Sequence, residues 1–366
     1  MPHRLSYRPR FVLIAAFLLA VGALLVGCAE DDVPGTANPF PERTNILVVH
    51  SYDESFRWSS EQGQGIVDGL DAAGLRQGLE YNLRVFYMDT RLRYTTPEQI
   101  AARAAEATAL IEELHPAVVF ITDDPALRTV AVPYVEAHPD TKVAFVFSGI
   151  NIDPTVYKPI ASLEAPGGRI TGVLERIPVG AAMTVANRVF PEAERAAVLA
   201  DGSGSSAAAL ADYNKTYPGG LHSPIEVTSF TLAKTFAQWQ AQVRSANTNA
   251  DLLGLVNYHG LTDEAGNIVP PADVLAWTLA NSTNPVMGLV RDWVGDGMPV
   301  AVGNSGVRNG IASATIGAAI LDGKDPGTVR ITDVKLYETA FNARAIRALG
   351  LTIPQAEIEK ADLVVH

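Results

Sequence analysis

The side chains best suited to chemistry in this 366-residue sequence come in short polar and aromatic clusters. Ser51, Tyr52 and Trp58 offer a hydroxyl and aromatic faces, a combination that covers a planar ligand and orients one polar end. Asp89, Asp123 and Asp124 can grip an ammonium, because a hydrogen bond to an ionised group is roughly twice as strong as a neutral one. Asp124, standing before Pro125, equally suits a helix N-cap. Ser148, Gly149 and Asn151 form a turn in which glycine permits close backbone approach and Asn151 can brace the loop. Asp201-Gly202-Ser203-Gly204-Ser205-Ser206 opens an expected helix and can present backbone N–H groups to a carboxylate, which makes Asp201 and Ser203 candidates. Tyr258, in Asn257-Tyr258-His259-Gly260, completes the ligand-contact set.

Catalytic and metal chemistry find little support in these patterns. The 201–206 segment lacks the spacing and lysine of a phosphate loop and does not fit Gly-x-Ser-x-Gly. Gly63-Gln64-Gly65 lies in a helical stretch, where small residues allow close packing, and fails the dinucleotide fingerprint. His50, His115, His138, His222 and His259 are scattered without the short pairing of zinc ligands. A hydrolase pairing His50 or His259 with Ser51 or Asp263 needs a convergence that only folding can supply. No catalytic residue, cofactor or metal ligand is therefore expected.

These clusters follow a regular alternation of short apolar runs and longer amphipathic stretches. Ile46–Val49, Leu83–Met88, Ala117–Ile121 and Val143–Phe147 read as strands, with helices near 60–73, 97–114 and 125–137 between them. A second set comprises Ala197–Ala200, Ile225–Thr228, Leu252–Val256 and Val286–Val290, with helices near 206–213 and 235–246. Continuous β-branched and aromatic runs separated by helices indicate parallel sheets covered on both faces. The expected fold is α/β, with two doubly wound lobes: 45–172 plus about 299–325 in the first, and 173–298 plus about 326–366 in the second. Ile170–Val173 and Pro299–Val302 are the expected crossings. Ligands of open α/β sheets bind beyond the carboxyl ends of the strands, and the polar clusters stand at those ends in both lobes.

The N-terminus carries an address. His3, Arg4, Arg8 and Arg10 precede an apolar run from Phe11 to Val26 that ends in Leu25-Val26-Gly27-Cys28, the order of a signal peptide over 1–27. Leu-Val-Gly-Cys resembles the bacterial lipobox, which implies a lipid on Cys28 and an anchor on the outer face of the cell membrane or the outer membrane. Residues 28–44, with acidic side chains and prolines but no apolar periodicity, read as a lipidated tether. Cys28 is the only cysteine, so the body can form no internal disulfide. The remaining roughly 340 residues suit two domains. At 48% hydrophobic and 19% charged the chain is ordinary globular protein, and a net charge of −12 excludes a nucleic-acid partner that relies on a basic surface.

Val48-Val49-His50-Ser51-Tyr52 with Trp58, Tyr87-Met88-Asp89-Thr90, Thr122-Asp123-Asp124 and Val146-Phe147-Ser148-Gly149-Ile150-Asn151 resemble the ABC-transporter substrate-binding family that includes tryptophan- and tyrosine-type binding proteins. Phe341 to Pro354 resembles that family's ending, so the likeness spans the mature chain. The resemblance implies a type I periplasmic-binding-protein fold, a hinge, a small solute clasped between the lobes, and permease and ATPase partners. With carboxylates and aromatics near the cleft, an amino-acid-like solute is expected. Related domains form the extracellular halves of membrane histidine kinases, which gives the alternative of a ligand-sensing lipoprotein acting on a membrane signalling partner.

Overall fold

The computed structural model describes residues 43–366 apart from Leu336, a single compact unit. The expected signal peptide, Cys28 and nearly all of the expected tether lie outside the described residues. Two sheets organise the unit. The first has the order β2-β1-β3-β4-β5-β11, all parallel, from β1 (Thr44–His50), β2 (Tyr81–Tyr87), β3 (Val118–Thr122), β4 (Ala144–Ile150), β5 (Ile170–Leu174) and β11 (Thr332–Asp333). The second has the order β7-β6-β8-β9-β10-β12-β13. It is built from β6 (Arg195–Asp201), β7 (Glu226–Ala233), β8 (Leu252–Leu255), β9 (Val286–Gly288), β10 (Val300–Asn304), β12 (Tyr337–Asn342) and β13 (Leu363–Val365). β12 pairs antiparallel with β10, and β13 pairs parallel with β12, so these last two strands run opposite to the rest of the sheet.

The helices in chain order are α1 (Arg57–Ala72), α2 (Pro97–Leu114), α3 (Asp123–Ala126), α4 (Val132–Ala137), α5 (Val179–Val189) and α6 (Gly204–Thr216). They continue with α7 (Phe236–Asn249), α8 (Pro271–Asn281), α9 (Trp293–Asp296), α10 (Gly306–Leu321), α11 (Ala343–Ala348) and α12 (Gln355–Glu359). Their bounds follow local chemistry. α2 starts where Thr96 and Gln99 form a capping box ahead of Pro97 at the first helical position, and it stops at His115 in a left-handed conformation. A second capping box, Thr235 with Gln238, starts α7; each cap is worth about 1 kcal/mol. The helix expected over 125–137 is broken: α3 passes into a π-turn over Leu127–Ala131 before α4. Pro133, second residue of α4, has no N–H to donate and crowds the carbonyl one turn back, and the wider turn accommodates it. Among the described residues no helix is long and apolar enough to cross a membrane.

Each sheet is covered on both faces. In the first, Leu47, Val49, Val119 and Ile121 face α2 and the α3–α4 segment, while Ile46, Val48, Phe120 and Val146 face α1 and α10. In the second, Val198, Ala200 and Val256 pack with α5, and Leu199, Leu253 and Leu255 with α7 and α8. This double cover requires apolar side chains on successive residues, which is why the strands read as unbroken runs.

The chain passes three times between the sheets: after β5 through Glu175–Pro178, after β10 into α10, and after β11 into β12. The segment 299–325, expected in the first lobe, divides: β10 pairs in the second sheet while α10 packs on α1 under the first. The segment after 325, expected in the second lobe, first contributes β11 to the first sheet. Hydrophobicity alone could not make this division, because a buried parallel strand looks the same in either sheet.

Candidate functional site

At the carboxyl ends of β3 and β4, seven of the twelve expected residues come together. Asp123, first residue of α3, takes a left-handed conformation with φ +66°, which a short polar side chain tolerates better than most. Its buried carboxylate accepts from Trp58 Nε1 at 2.8 Å and from Gln62 Nε2 at 3.3 Å. Trp58 and Gln62 stand four residues apart on α1 and so share one face. Gln62 in turn accepts from Ser148 Oγ at 2.5 Å, which ties α1 to β4. Gly149 closes the arrangement at φ +71°: a Cβ there would lie 2.5 Å from Asp123 Oδ1.

Asp124 accepts from the backbone N–H of Asn151 at 3.2 Å and of Ile152 at 3.3 Å, so it organises the next loop and does not cap its own helix. Asn151 Nδ2 donates to Glu175 Oε2 at 3.1 Å. Tyr52 lies beside this group: burial, then the negative charge of Asp123, Asp124 and Glu175, raises its phenol well above the usual range. Burial likewise raises Asp123 well above an ordinary carboxylate, against the pull of the Trp58 hydrogen bond, and raises Asp124. Glu175 is pushed up to about 7 by burial, opposed by donors from Asn151 and Asn304.

Three of the nearby cations are already engaged, while Arg128, exposed in the turn after α3, bears on Asp124 without an ion pair among the described residues. Arg176 pairs with Asp212 at 3.1 Å and donates to the carbonyls of Ile150 and Asn151. Arg91 pairs with Asp53 at 3.1 Å and lies 4.3 Å over the Phe56 ring. Arg291 donates to Glu338 at 2.6 Å, to Asp292 at 2.7 Å and, across the lobes, to Glu61. The carboxylates around Tyr52 thus outnumber the cations free to answer them, and a cationic group with an aromatic body fits that balance.

Of the remaining five expected residues, four already have hydrogen-bond partners within the protein. Ser51 is fully buried; its Oγ donates to Thr122 O at 2.6 Å and accepts from Ala126 N at 2.8 Å, locking β1 to the start of α3. Asp89, two residues after β2, has φ +53°, and its buried Oδ1 has no hydrogen-bond partner among the described residues. Asp201 accepts from one backbone N–H of its own glycine-rich loop, Ser203 N at 3.1 Å, and from His259 N at 3.1 Å and Gly260 N at 2.9 Å in the loop after β8, besides the hydroxyls of Ser203 and Ser206. Ser203 caps α6. One backbone N–H of the glycine-rich loop is thus taken by the protein's own carboxylate. An Asp201→Asn substitution, which turns one acceptor oxygen into a donor facing His259 and Gly260, should cost about 1.5 kcal/mol in denaturant unfolding. Ligand affinity should stay within about twofold if this knot is structural; a large affinity loss would return Asp201 to the cleft.

Tyr258 is buried in the second lobe and donates to Asp296 Oδ2 at 2.7 Å, within a stack in which His259 lies 4.4 Å from both Tyr258 and Trp293. His50 forms no pair with the Ser51 hydroxyl. Burial lowers its imidazole to about 3, and Nδ1 meets Thr122 Oγ1 at 3.0 Å. A recess of about 640 Å³ lined by Thr44, His115, Tyr134 and Lys142 lies at the amino ends of the strands, opposite these residues.

Gln62, Glu175, Asn304, Arg91 and Asp296 did not emerge from the sequence. Glu175 had a signal, since it follows β5 directly and the strand-end rule applies to it. Gln62, one turn into a helix, had none.

The family model described as ABC transporter substrate binding protein matches residues 59–365. A tyrosine-binding protein of Clostridioides difficile (strain R20291) is 20% identical over 352 residues, covering 93% of this chain and 91% of the relative. Among solved structures, a conserved domain protein from Vibrio cholerae has a TM-score of 0.61 at 20% identity, over 88% of this chain and 100% of that one. An ABC domain in complex with L-Trp from Streptococcus pneumonia has a TM-score of 0.61 at 17% identity, over 88% of this chain and 100% of that one. The ligand-free, open structure of a substrate binding protein with adhesive properties from Clostridium difficile has a TM-score of 0.62 at 15% identity, over 88% and 99%. At these identities the structural likenesses speak for the fold, the type I periplasmic-binding-protein architecture of two lobes and a hinge.

Proposed function

The chain belongs to the ABC transporter substrate binding protein family, and from that premise we propose that it is the extracytoplasmic receptor of an importer, anchored by a lipid on Cys28 and delivering an amino acid to a permease and ATPase. The observation that carries the ligand class is the set of Asp123, Asp124 and Glu175 beside Tyr52, where the neighbouring Arg176 is already matched by Asp212. An ammonium answers the carboxylates, and the rings of Tyr52 and Phe56, which meet edge to face at 5.7 Å, favour a planar side chain. The tyrosine-binding relative supports an aromatic amino acid. Capture requires no bond to break. Ligand contacts from both lobes favour the closed state by their differential affinity, and the transporter reads that state.

Full-length protein purified in detergent should be stabilised by L-tyrosine or L-tryptophan, by about 2.7 kcal/mol at a hundredfold excess over Kd, with the amino acid recovered unchanged. The deaminated acid with the same ring should give no thermal shift. Equal stabilisation by that analogue, or turnover of the amino acid, would overturn the reading.

A further inference from the structure

Glu175 stands at the first crossing, directly after β5. Its backbone N–H donates to Ile150 O at 2.9 Å, which fixes it to the first lobe. One carboxylate oxygen, Oε2, accepts from Asn151 Nδ2 at 3.1 Å, in the loop after β4. The other, Oε1, accepts from Asn304 Nδ2 at 3.3 Å, and Asn304 ends β10 in the second sheet. The same Asn304 amide donates to Arg176 O at 2.9 Å. A single carboxylate therefore brackets the two lobes where the chain crosses between them. The charged and titratable groups facing it are Asp123 and Asp124 from α3, Tyr52 from the loop after β1, Asp292 from the loop after β9, and Arg176 beside it in the crossing. Acidic neighbours outnumber the one cation, which Asp212 already balances.

We propose that Glu175 is a proton-exchanging bracket at the hinge: it holds a proton in part of the unliganded population and releases it to solvent when a ligand ammonium enters and the lobes close. This rests on the amine-bearing ligand proposed above. The exchange follows from hydrogen-bond capacity. An ionised carboxylate only accepts, so it satisfies both asparagine amides; a protonated one turns an oxygen into a donor and holds the amide on that oxygen less well. Burial sets the group near neutrality, at about 7, so both forms are populated in the working range. Entry of the ligand's ammonium and loss of one proton leave the charge immediately around Glu175 unchanged. For the unliganded fold the sign is opposite: the stability Glu175 gives below an ordinary carboxylate's range is lost as pH rises through about 7.

Titration calorimetry of the full-length protein with L-tyrosine or L-tryptophan, in two buffers of different ionisation enthalpy, tests the exchange. Wild type should release close to one proton per ligand at pH ~6 and almost none at pH ~8, with affinity rising about tenfold between them. Glu175→Gln should abolish both effects. Asn304→Ala, which removes one donor to the charged form and spares the carboxyl group, should move the midpoint to higher pH. Binding without proton release, or pH dependence that survives Glu175→Gln, overturns the bracket and leaves the ligand reading standing. Failure of both amino acids to bind overturns the ligand reading. The bracket is then judged by infrared spectra of wild type minus Glu175→Gln, where a protonated carboxyl band should be present at pH ~6 and gone at pH ~8; no such band overturns it.

Discussion

Replacing Asp123 by asparagine is expected to weaken amino-acid binding about 100-fold while changing unfolding stability by less than about 1 kcal/mol. Asparagine matches aspartate in shape and accepts the φ of +66° that this position requires, so the backbone has no reason to move. The electrostatics change completely. Asp123 receives Trp58 Nε1 and Gln62 Nε2 on its two oxygens, and a ligand ammonium would be the charge that answers it. Removing the negative charge deletes a charge-assisted contact worth about 2–3 kcal/mol. The fold loses less, because burial already disfavours the ionised form and a neutral isostere escapes that cost. Because the substitution removes an ionisable group, the affinity gap should widen as pH rises. Calorimetry beside urea unfolding separates the two quantities; equal losses in both would make Asp123 a structural residue.

Gly310→Val is expected to lower stability by about 3 kcal/mol and to weaken binding at the same time. α1 and α10 meet backbone to backbone: a Cβ at Gly310 would lie 2.2 Å from Gln62 O and 2.8 Å from Gly65 Cα, and one at Gly65 only 2.0 Å from Val307 O. No rotamer relieves a clash with main-chain atoms, so the helices must separate, at the upper end of the usual cost of overpacking. The displaced helix carries Trp58 and Gln62, and both lose their hold on Asp123. Gly204→Ala provides the contrast, since a Cβ there meets nothing within 4 Å. A Gly310→Val protein as stable as Gly204→Ala would show that the helices part without cost.

The architecture was legible where one rule governs one segment. Thr96 and Pro97 announce α2, and the apolar runs of β1, β3 and β4 can be satisfied only by strands buried on both faces. The seven residues gathered at the ends of β3 and β4 follow from that reading. α10 was hidden because Gly306, Gly310 and Gly317 lower helix propensity, and their use as contact points appears only when α1 and Phe120 are in place. Asp201 and Tyr258 point to the same difficulty. Each stands at a strand end as a ligand contact should, but the backbone of His259 and Gly260 claims one and Asp296 the other. Sequence places a side chain at an edge; only the neighbours brought from elsewhere decide whether it still has a hydrogen bond to give.

The threefold passage between the sheets also bears on how the chain can be synthesised and folded. α10 and β11, which finish the first lobe, are encoded after β6 to β10, which build most of the second. A nascent chain ending near residue 298 holds five of the six strands of the first sheet. It lacks the helix that covers Ile46, Val48 and Phe120, and the glycine face of α1 has nothing to meet. The first lobe therefore cannot settle ahead of the second in the N-to-C order that independent domains follow. Contacts between residues near 65 and 310 close a loop spanning most of the body, which places this topology among slow folders. Neither lobe is one continuous segment of the chain; each is completed by pieces encoded after the other has begun.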